Sequence, residues 1–286
     1  MSNKISAFFQ LTKPKIMILV LAGGATALFM EGSLLRRPID FLIFIIALYL
    51  TGGSANALNQ YFERDLDARM SRTSGRRPLP LGRLSSGEAL IFSIGIGIIG
   101  VFVLFLAFNA LTALMAIGTI LFYSLFYTLW LKPHTSQNIV IGGIAGAMAP
   151  VGAWTAASGT MALQPWILFL IIFFWTPPHF WALAHYYRND YRITGLPMLP
   201  VIKGTGAVLN QIFIYTLLLF VSSIILLAIN FGWFYFSAVS ILGPWFIIKA
   251  YRARKNKDSV LIWAMFRFSI IYLFVIFVSL MLDAIF

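Results

Sequence analysis

Long apolar stretches alternate with short polar connections along the whole chain. Nine of these stretches are long enough to cross a bilayer core as a helix, which takes about 20 residues. They run over residues 14–34, 39–60, 88–108, 110–131, 138–157, 164–185, 206–229, 232–249 and 260–283. The pattern predicts an all-α membrane protein with nine transmembrane helices, and we expect residues 1–286 to form a single polytopic domain.

The composition indicates that lipid is the solvent for most of the chain. Hydrophobic residues make up 60% of the sequence and charged residues only 10%, whereas a soluble domain carries roughly 25% charged residues. The chain has no cysteine. This excludes a disulfide scaffold, a zinc or iron–sulfur site built on cysteine, and covalent haem attachment through a Cys-x-x-Cys-His motif.

The formal net charge of +12 would suggest a nucleic-acid partner in a soluble protein. All but three of the 21 lysine and arginine residues, however, lie near the N-terminus or beside the even-numbered connections. The exceptions are Arg36, Arg37 and Arg267. The positive-inside rule therefore places the N-terminus and the even-numbered connections in the cytoplasm, and we expect no nucleic-acid partner. Because no Arg- and Ser-rich transit segment begins the sequence, we expect a bacterial cytoplasmic membrane.

Most of the polar chemistry lies in the predicted cytoplasmic connections. The connections on the other side are short, for example Phe108-Asn109-Ala110 and Asn230-Phe231-Gly232. A transporter is expected to place polar groups near the membrane midplane, at broken helices. The distribution favours an active site at one membrane surface over a transport pathway.

The densest polar cluster follows the second stretch. Asn59, Glu63 and Asp67 have the spacing i, i+4, i+8, which places them within about 80° of one another on a helix. Asn56 lies one turn earlier on the flank of the same face. Each acid near lipid costs about 2.5–3.5 kcal/mol at the bilayer centre and less at its edge, so this row needs compensation.

Two explanations of this cluster remain open. A bound Mg²⁺ would compensate the acids, since it prefers oxygen ligands and keeps coordination positions for substrate phosphates. Alternatively, the cluster is a solvated helix end with Arg64 and Arg69 as local partners.

Basic residues follow the acids directly. Arg72, Arg76 and Arg77 lie within six positions, and arginine binds phosphate oxygens in a bidentate manner. Acids that hold Mg²⁺, followed by arginines, predict a diphosphate clamp. Positive charge that only sets the membrane topology is the alternative. Lys132, after the fourth stretch, is either a further phosphate contact or a snorkelling side chain.

A second polar segment follows the sixth stretch. Asp190 is its only acid, and it could hold a second metal ion that faces the first cluster. A surface ion-pair group with Arg188 and Arg192 is the alternative. Tyr191 is expected to contact substrate.

Several blocks of this sequence are specific. The first is Asn59-Gln60-x-x-Glu63-x-x-x-Asp67; the others are Pro177-Pro178-His179-Phe180-Trp181-Ala182-Leu183-Ala184 and Asp190-Tyr191 followed by Pro197-Met198-Leu199-Pro200. Together they resemble the UbiA superfamily of membrane prenyltransferases, and the last two resemble its haem-farnesylating branch. The superfamily motif is Asn-Asp-x-x-Asp-x-x-x-Asp, so this chain departs from it by a Gln and a Glu.

The resemblance implies nine helices around a central cavity that opens towards the cytoplasmic side. It implies Mg²⁺ as cofactor, farnesyl diphosphate as prenyl donor, the 2-vinyl group of haem B as acceptor and haem O as product. It also suggests a haem A synthase or a terminal oxidase as a partner. The implied catalytic residues are Asn59, Glu63, Asp67, Lys132 and Asp190, of which all but Lys132 are also metal ligands. The implied diphosphate contacts include Arg72 and either Arg76 or Arg77.

Two histidines are candidate haem contacts. His179 follows Pro177-Pro178, which should kink or end the helix, and His185 lies six residues further on. With Asn56 and Tyr191 they complete the predicted substrate-binding set. Two other functions remain open: a UbiA-type enzyme that prenylates a quinone precursor or another ring acceptor, and a non-enzymatic haem-binding or transport protein.

Overall fold

The computed structural model of the protein describes residues 2–286, with side chains from Lys4 onwards, and Met1 lies outside it. Within this range, nine helical segments are long and apolar enough to cross a membrane. The predicted all-α architecture with nine membrane helices is confirmed.

The helices are numbered in chain order. The membrane segments are α2 (Pro14–Glu31), α3 (Pro38–Phe62), α6 (Ser86–Ala107), α7 (Ala110–Leu121) with its continuation as a π-helix (Phe122–Leu131) and α8 (Lys132–His134), α9 (Asn138–Ala147) with α10 (Ala149–Ser158), α11 (Leu163–Tyr186), α14 (Gly204–Ile229), α15 (Trp233–Asn256) and α16 (Ser259–Ile285). The shorter helices are α1 (Ser2–Leu11), a 3₁₀ turn (Ser33–Arg36), α4 (Arg64–Arg69), α5 (Ser71–Ser74), α12 (Arg188–Ile193) and α13 (Leu199–Ile202).

Most helix ends agree with the predicted spans, and two segments differ. Helix α15 continues past the predicted end at residue 249 to Asn256, because lysine and arginine are good helix formers outside the lipid. The fourth segment changes from α-helix to π-helix at Phe122. No proline or glycine marks this change in the sequence, so the hydrophobic pattern does not reveal it.

The helices form an inner ring and an outer layer. Helix α2 packs against α3, α10 and α16, while α11 packs against α9, α10 and α16, so that these helices and the π-helix enclose a space. Helix α6 lies outside α3, and α14 and α15 lie outside α11 and α16. Large apolar side chains such as Ile91 and Ile98 of α6 point outward, 76% and 64% exposed, as expected of a surface in contact with lipid.

The connections after α3, α8, α11 and α15 lie on one face of the molecule, because successive membrane helices alternate in direction. We call this end the polar face, defined by residues 63–85 and 187–203, which contain α4, α5, α12 and α13. The space enclosed by the inner ring runs from the polar face into the apolar interior.

Helix α11 passes through Pro177 and Pro178 without ending and continues to Tyr186. Membrane helices tolerate proline where neighbouring groups compensate for the lost hydrogen bonds. The continuous helix keeps His179 on the inner wall of the ring.

Candidate active site

A cavity of about 550 Å³ occupies the centre of the helix ring. Its lining includes many of the residues that the sequence analysis selected: Asn56, Asn59, Glu63, Arg72, Arg77, Lys132, His179 and Tyr191. Four selected residues lie outside its described wall: Asp67, Arg76, His185 and Asp190. The structure thus brings most of the predicted site together.

The acidic row lies where α3 ends. Helix α3 stops at Phe62, yet the backbone N–H of Glu63 donates to the Asn59 carbonyl at 3.0 Å, and that of Asp67 to the Glu63 carbonyl at 2.8 Å. The one-turn spacing therefore persists across the interruption. All three side chains of the row are buried, but Asp67 lies beside the cavity wall rather than in it.

Buried cations neutralise these acids. The Lys132 ammonium donates to Glu63, and the Arg77 guanidinium donates to Asp67. Arg77 Nη1 also lies 3.9 Å from Glu63 Oε2. Each partner comes from a different segment, so the cluster ties the start of α8 and the connection after α5 to the end of α3.

Arg64 and Arg69 are not the partners of this row. Arg64 donates to the Tyr61 carbonyl at 2.9 Å, and Arg69 donates to the Asp65 carbonyl at 3.4 Å. The alternative of a solvated helix end with local ion pairs therefore does not describe the cluster.

Lys13 is a site residue that the sequence analysis did not select. Its Nζ donates to Asn59 Oδ1 at 2.6 Å and lies 5.9 Å from the centroid of the Tyr123 ring. Its backbone adopts the left-handed conformation, with φ of 54°, which is uncommon for residues other than glycine. This turn between α1 and α2 directs the side chain into the cavity. The adjacent Pro14 in the sequence marks the helix start but does not reveal this contact.

The charges of the cluster shift one another's protonation equilibria. Burial and the positive charge of Arg77 hold the pKa of Lys13 well below its usual value. Burial raises the pKa of Asp67 despite the neighbouring Arg77. Burial also acts to raise the pKa of Glu63, but Lys132 and Lys13 outweigh it, and the pKa is lowered. Glu63 is therefore the more stable anion of the two acids.

The π-helix aligns a column of polar groups towards α3. Thr128 Oγ1 donates to the Tyr123 carbonyl at 2.7 Å, and the Lys132 N–H donates to the Tyr127 carbonyl. Both contacts span five residues, which is one π-helical turn. Thr128 also accepts from Asn59 Nδ2 at 3.0 Å. In a regular α-helix, residues five apart would diverge by about 140°, so the wider turn is needed to bring Lys132 and Tyr127 to the same wall.

Arg72 is the basic residue of the wall whose charge is least satisfied. Its buried Nε has no hydrogen-bond partner among residues 2–286, and no acid of that range forms an ion pair with it. The guanidinium lies 5.7 Å from the Tyr187 ring and 5.9 Å from the Tyr191 ring. A buried donor without a partner has a free-energy cost, which an anionic ligand would remove.

Asp190 positions the segment that carries Arg72. Its carboxylate accepts hydrogen bonds from Ser71 Oγ at 2.8 and 2.9 Å and from the Arg72 backbone N–H at 3.0 Å. No ion pair between Asp190 and Arg188 or Arg192 is present in the described part of the chain. The second metal at Asp190 stays a prediction, because these contacts direct the carboxylate to the backbone rather than the cavity.

The structure distinguishes the two neighbouring arginines. Arg77 lies in the cavity wall and contacts both acids, whereas Arg76 is exposed to solvent. Arg77 is therefore the one placed to contact a ligand.

The chain matches a known protein family over most of its length. The UbiA prenyltransferase family matches residues 16–277 of the chain. The chain belongs to this family. The resemblance seen in the sequence is confirmed, and this UbiA protein is a multi-pass membrane protein with nine apolar helices in its described residues.

Several relatives of this UbiA chain carry an assigned activity. A protoheme IX farnesyltransferase from Gloeobacter violaceus is 43% identical over 291 residues, which cover 100% of this chain and 94% of the relative. A protoheme IX farnesyltransferase from Afipia carboxidovorans is also 43% identical, over 98% of this chain and 90% of the relative.

Solved structures share the UbiA fold. A structure described for digeranylgeranylglyceryl phosphate synthase superimposes with a TM-score of 0.81 at 20% identity, covering 100% of this chain and 99% of that one. A UbiA homologue from Archaeoglobus fulgidus bound to GPP and Mg²⁺ gives a TM-score of 0.64 at 15% identity, covering 96% of this chain and 99% of that one. At these sequence identities, the similarity shows that the fold is shared and nothing further.

The oxygen donors of this UbiA site form a partial ligand set for a metal ion. No three acidic or imidazole side chains converge on one point among the described residues. Glu63 Oε2 and Asp67 Oδ1, however, accept no hydrogen bond within residues 2–286. Two carboxylate oxygens one turn apart fit Mg²⁺, which is typically held by one or two carboxylates and completed by phosphate oxygens and water. Asn59 Oδ1 is occupied by Lys13.

The two candidate histidines occupy different surroundings in this UbiA fold. His179 lines the cavity, and its Nδ1 lies 2.8 Å from Ser269 Oγ. His185 is buried outside the wall, with Nε2 3.5 Å from an Arg188 nitrogen. Of the two, only His179 is placed to touch a ligand in the cavity.

Proposed function

We propose that the chain transfers the farnesyl group of farnesyl diphosphate to the 2-vinyl group of protohaem IX, with addition of water, giving haem O and diphosphate. The relatives at 43% identity bear the name of this activity. The observation that carries the proposal is a basic wall at the end of a deep apolar cavity, in which Arg72, whose Nε is buried, has no acidic partner within residues 2–286. We propose that the whole chain acts as one catalytic domain.

The diphosphate binds at the polar face. Lys13, Arg72, Arg77 and Lys132 supply four basic side chains around two carboxylates, so an anion balances the local charge. Glu63 and Asp67 would hold Mg²⁺ through the carboxylate oxygens that accept no hydrogen bond within residues 2–286. Bound Mg²⁺ supplies Lewis-acid stabilisation of the departing diphosphate. The arginine and lysine donors stabilise the same charge as it develops.

The chemistry needs a dry site but no side-chain nucleophile. Cleavage of the allylic C–O bond leaves a cation at carbon 1, to which the vinyl group adds. Water captures the resulting cation beside the porphyrin ring and loses a proton, so that a hydroxyl group remains. The Tyr123 and Tyr127 rings, stacked 5.2 Å apart in the wall, present aromatic faces that stabilise a cation.

The prenyl tail extends along α3 towards Phe44. Asn56 and Phe44 both line the cavity, and their separation of twelve positions corresponds to about 18 Å of helix. Three isoprene units contain about twelve chain bonds of about 1.5 Å, and because an extended carbon chain zigzags, its end-to-end length is about 15 Å. Phe44 is 1% exposed and packs edge-on against Phe108 at 5.7 Å. This pair forms a floor at the depth that suits a farnesyl chain.

The haem enters from the lipid. Ile16 and Ile18 of α2 and Ile270 and Phe274 of α16 line the cavity and are exposed. An apolar porphyrin can pass between these two helices. We propose that the polar face lies in the cytoplasm of a bacterial cell, in line with its lysine and arginine content. A haem A synthase or terminal oxidase partner stays a prediction.

The test uses the purified protein with haem B, farnesyl diphosphate and Mg²⁺, with and without EDTA. Mass spectrometry should find haem enlarged by one farnesyl group and one water, and EDTA should abolish this product. Arg72→Ala should strongly reduce it, whereas the exposed Arg69→Ala serves as the matched control. Prenylation of a quinone precursor in place of haem would contradict the acceptor. Haem binding without diphosphate release would contradict the enzymatic function.

A further inference from the structure

Three aromatic rings surround the imidazole of His179. Its ring stacks on Trp175 at 4.3 Å and on Phe266 at 4.6 Å, with interplanar angles of 19° and 28°. Phe180 adds an edge contact at 5.1 Å. Aromatic surfaces thus cover both faces of the imidazole, and only its edges remain for polar contacts.

The hydrogen bonds fix which ring nitrogen carries the proton. Ser269 Oγ lies 2.6 Å from the Phe266 carbonyl oxygen, which can only accept, so the serine donates its single proton there. Ser269 Oγ must then accept from His179, whose Nδ1 lies 2.8 Å away. The proton is therefore on Nδ1, and Nε2 carries a lone pair.

Nε2 is free for a ligand. It has no hydrogen bond to any residue in the described range 2–286, and the side chain lines the cavity. A purely structural histidine usually satisfies both ring nitrogens. An imidazole whose Nδ1–H is held by an oxygen and whose Nε2 is unprotonated is the arrangement that proteins use to bind metal ions.

We propose that His179 Nε2 is an axial ligand of the iron of the acceptor haem, and that it positions the porphyrin for prenyl transfer; this rests on the proposed function. His179 lies seven residues before the end of α11 at Tyr186, about 10 Å below the polar face. Asn56 lies six residues before the end of α3 at Phe62, about 9 Å below it. A haem bound by His179 thus lies at the depth where the prenyl tail begins.

The first experiment is a titration of the purified full-length protein with ferric haem, without prenyl donor, read by absorption and electron paramagnetic resonance. The wild type should show a histidine-ligated spectrum. His179→Ala should lose that spectrum, and the Kd for haem should rise at least about 10-fold. His134→Ala is the matched control, because His134 is exposed and bonded to the Trp130 carbonyl at 2.5 Å.

Two further variants separate ligation from folding. His179→Gly leaves space for free imidazole, whose addition should restore the histidine-type spectrum. Ser269→Ala removes the acceptor of Nδ1–H, and the iron–histidine stretching frequency in resonance Raman spectra of the reduced, ferrous complex should fall while haem still binds.

The outcomes distinguish the ligand from the overall function. If His179→Ala keeps the wild-type spectrum, or if His185→Ala loses it, the assignment of His179 is overturned while farnesylation of haem can still be observed. If the wild type binds no haem and prenylates another ring acceptor, the proposed function itself fails. Loss of the spectrum in His179→Ala, with rescue of His179→Gly by imidazole, supports the assignment.

Discussion

The two ends of the central cavity differ in what they contain. At the polar face, Glu63 and Asp67 are buried beside Lys132 and Arg77, so each acid has a cationic partner. At the deep end, Phe44, Leu104 and Met115 form an apolar wall.

This difference between the two ends has a kinetic consequence. Charged groups near the diphosphate act on a leaving group whose negative charge grows in the transition state. Apolar contacts along the tail are the same before and during the reaction. The polar end should therefore control rate, and the deep end the choice of prenyl donor.

The largest expected effect is at Glu63. Glu63→Gln removes the anion that pairs with Lys132 and could hold Mg²⁺, and kcat should fall about 10²–10³-fold, as for other losses of electrostatic stabilisation. A magnesium titration of the initial rate measures this. Asp65→Asn is the matched control, since the Asp65 side chain is 84% exposed. If Glu63→Gln left kcat unchanged but strongly changed the preference for prenyl donor length, the polar end would not control the rate as proposed.

Arg72 should give the next largest effect. Its Nε has no partner among residues 2–286 and its guanidinium lies in the wall, so the bound diphosphate gains a contact that the empty site lacks. Arg72→Ala should lower kcat/KM for farnesyl diphosphate about 100-fold. Arg72→Lys should recover only part of this loss, because lysine lacks the bidentate fork. Steady-state kinetics with varied prenyl donor measure both variants, and full recovery by lysine would contradict a bidentate contact.

Gln60 joins α3 to the end of α1, next to the turn that carries Lys13. Its Nε2 donates to the carbonyls of Gln10 and Leu11, at 3.2 and 2.9 Å, near the end of α1, where carbonyls lack partners within the helix. The Gln10 carbonyl also accepts from the Lys13 N–H at 3.2 Å. Gln60→Glu places a carboxylate against these carbonyls and should destabilise the α1–α2 turn by about 1–3 kcal/mol. Because Lys13 belongs to this turn, KM for the prenyl donor should rise with the loss of stability.

A thermal unfolding curve and donor kinetics together test Gln60→Glu. Gln60→Met, which removes the amide without adding charge, is the comparison variant. Equal KM values for wild type and Gln60→Glu would show that the turn does not position Lys13. The contact also gives a physical reason for an amide here, where the superfamily motif has an acid.

The sequence predicts local features of this molecule well and distant contacts poorly. Hydrophobic length located the nine membrane segments, and residue type, spacing and the family resemblance together selected Glu63, Lys132 and the pair Arg76 and Arg77, without deciding between the two arginines. Lys13 was missed because its contact with Asn59 joins residues 46 positions apart through a left-handed turn. Asp190 was selected as the only acid of its segment, and its contact with the Arg72 backbone, 118 positions away, was not foreseen; a metal ion at Asp190 stays a prediction. Such contacts depend on how the helices pack, which a hydrophobic pattern does not contain.

The smallest expected effect, and the sharpest test of the deep end, is at Phe44. Phe44→Ala removes a ring of the cavity wall that packs against Phe108, and we expect the change to open space for a fourth isoprene unit. The ratio of kcat/KM for geranylgeranyl over farnesyl diphosphate should rise about 10-fold, which is the scale of discrimination by apolar pockets. The kcat with farnesyl diphosphate should change little, because the basic wall lies near the end of α3 at Phe62, about 27 Å from Phe44 along the helix. Phe41→Ala, also on α3 but outside the described cavity wall, is the matched control. A fall in kcat as large as that of Glu63→Gln would mean that the two ends do not act separately.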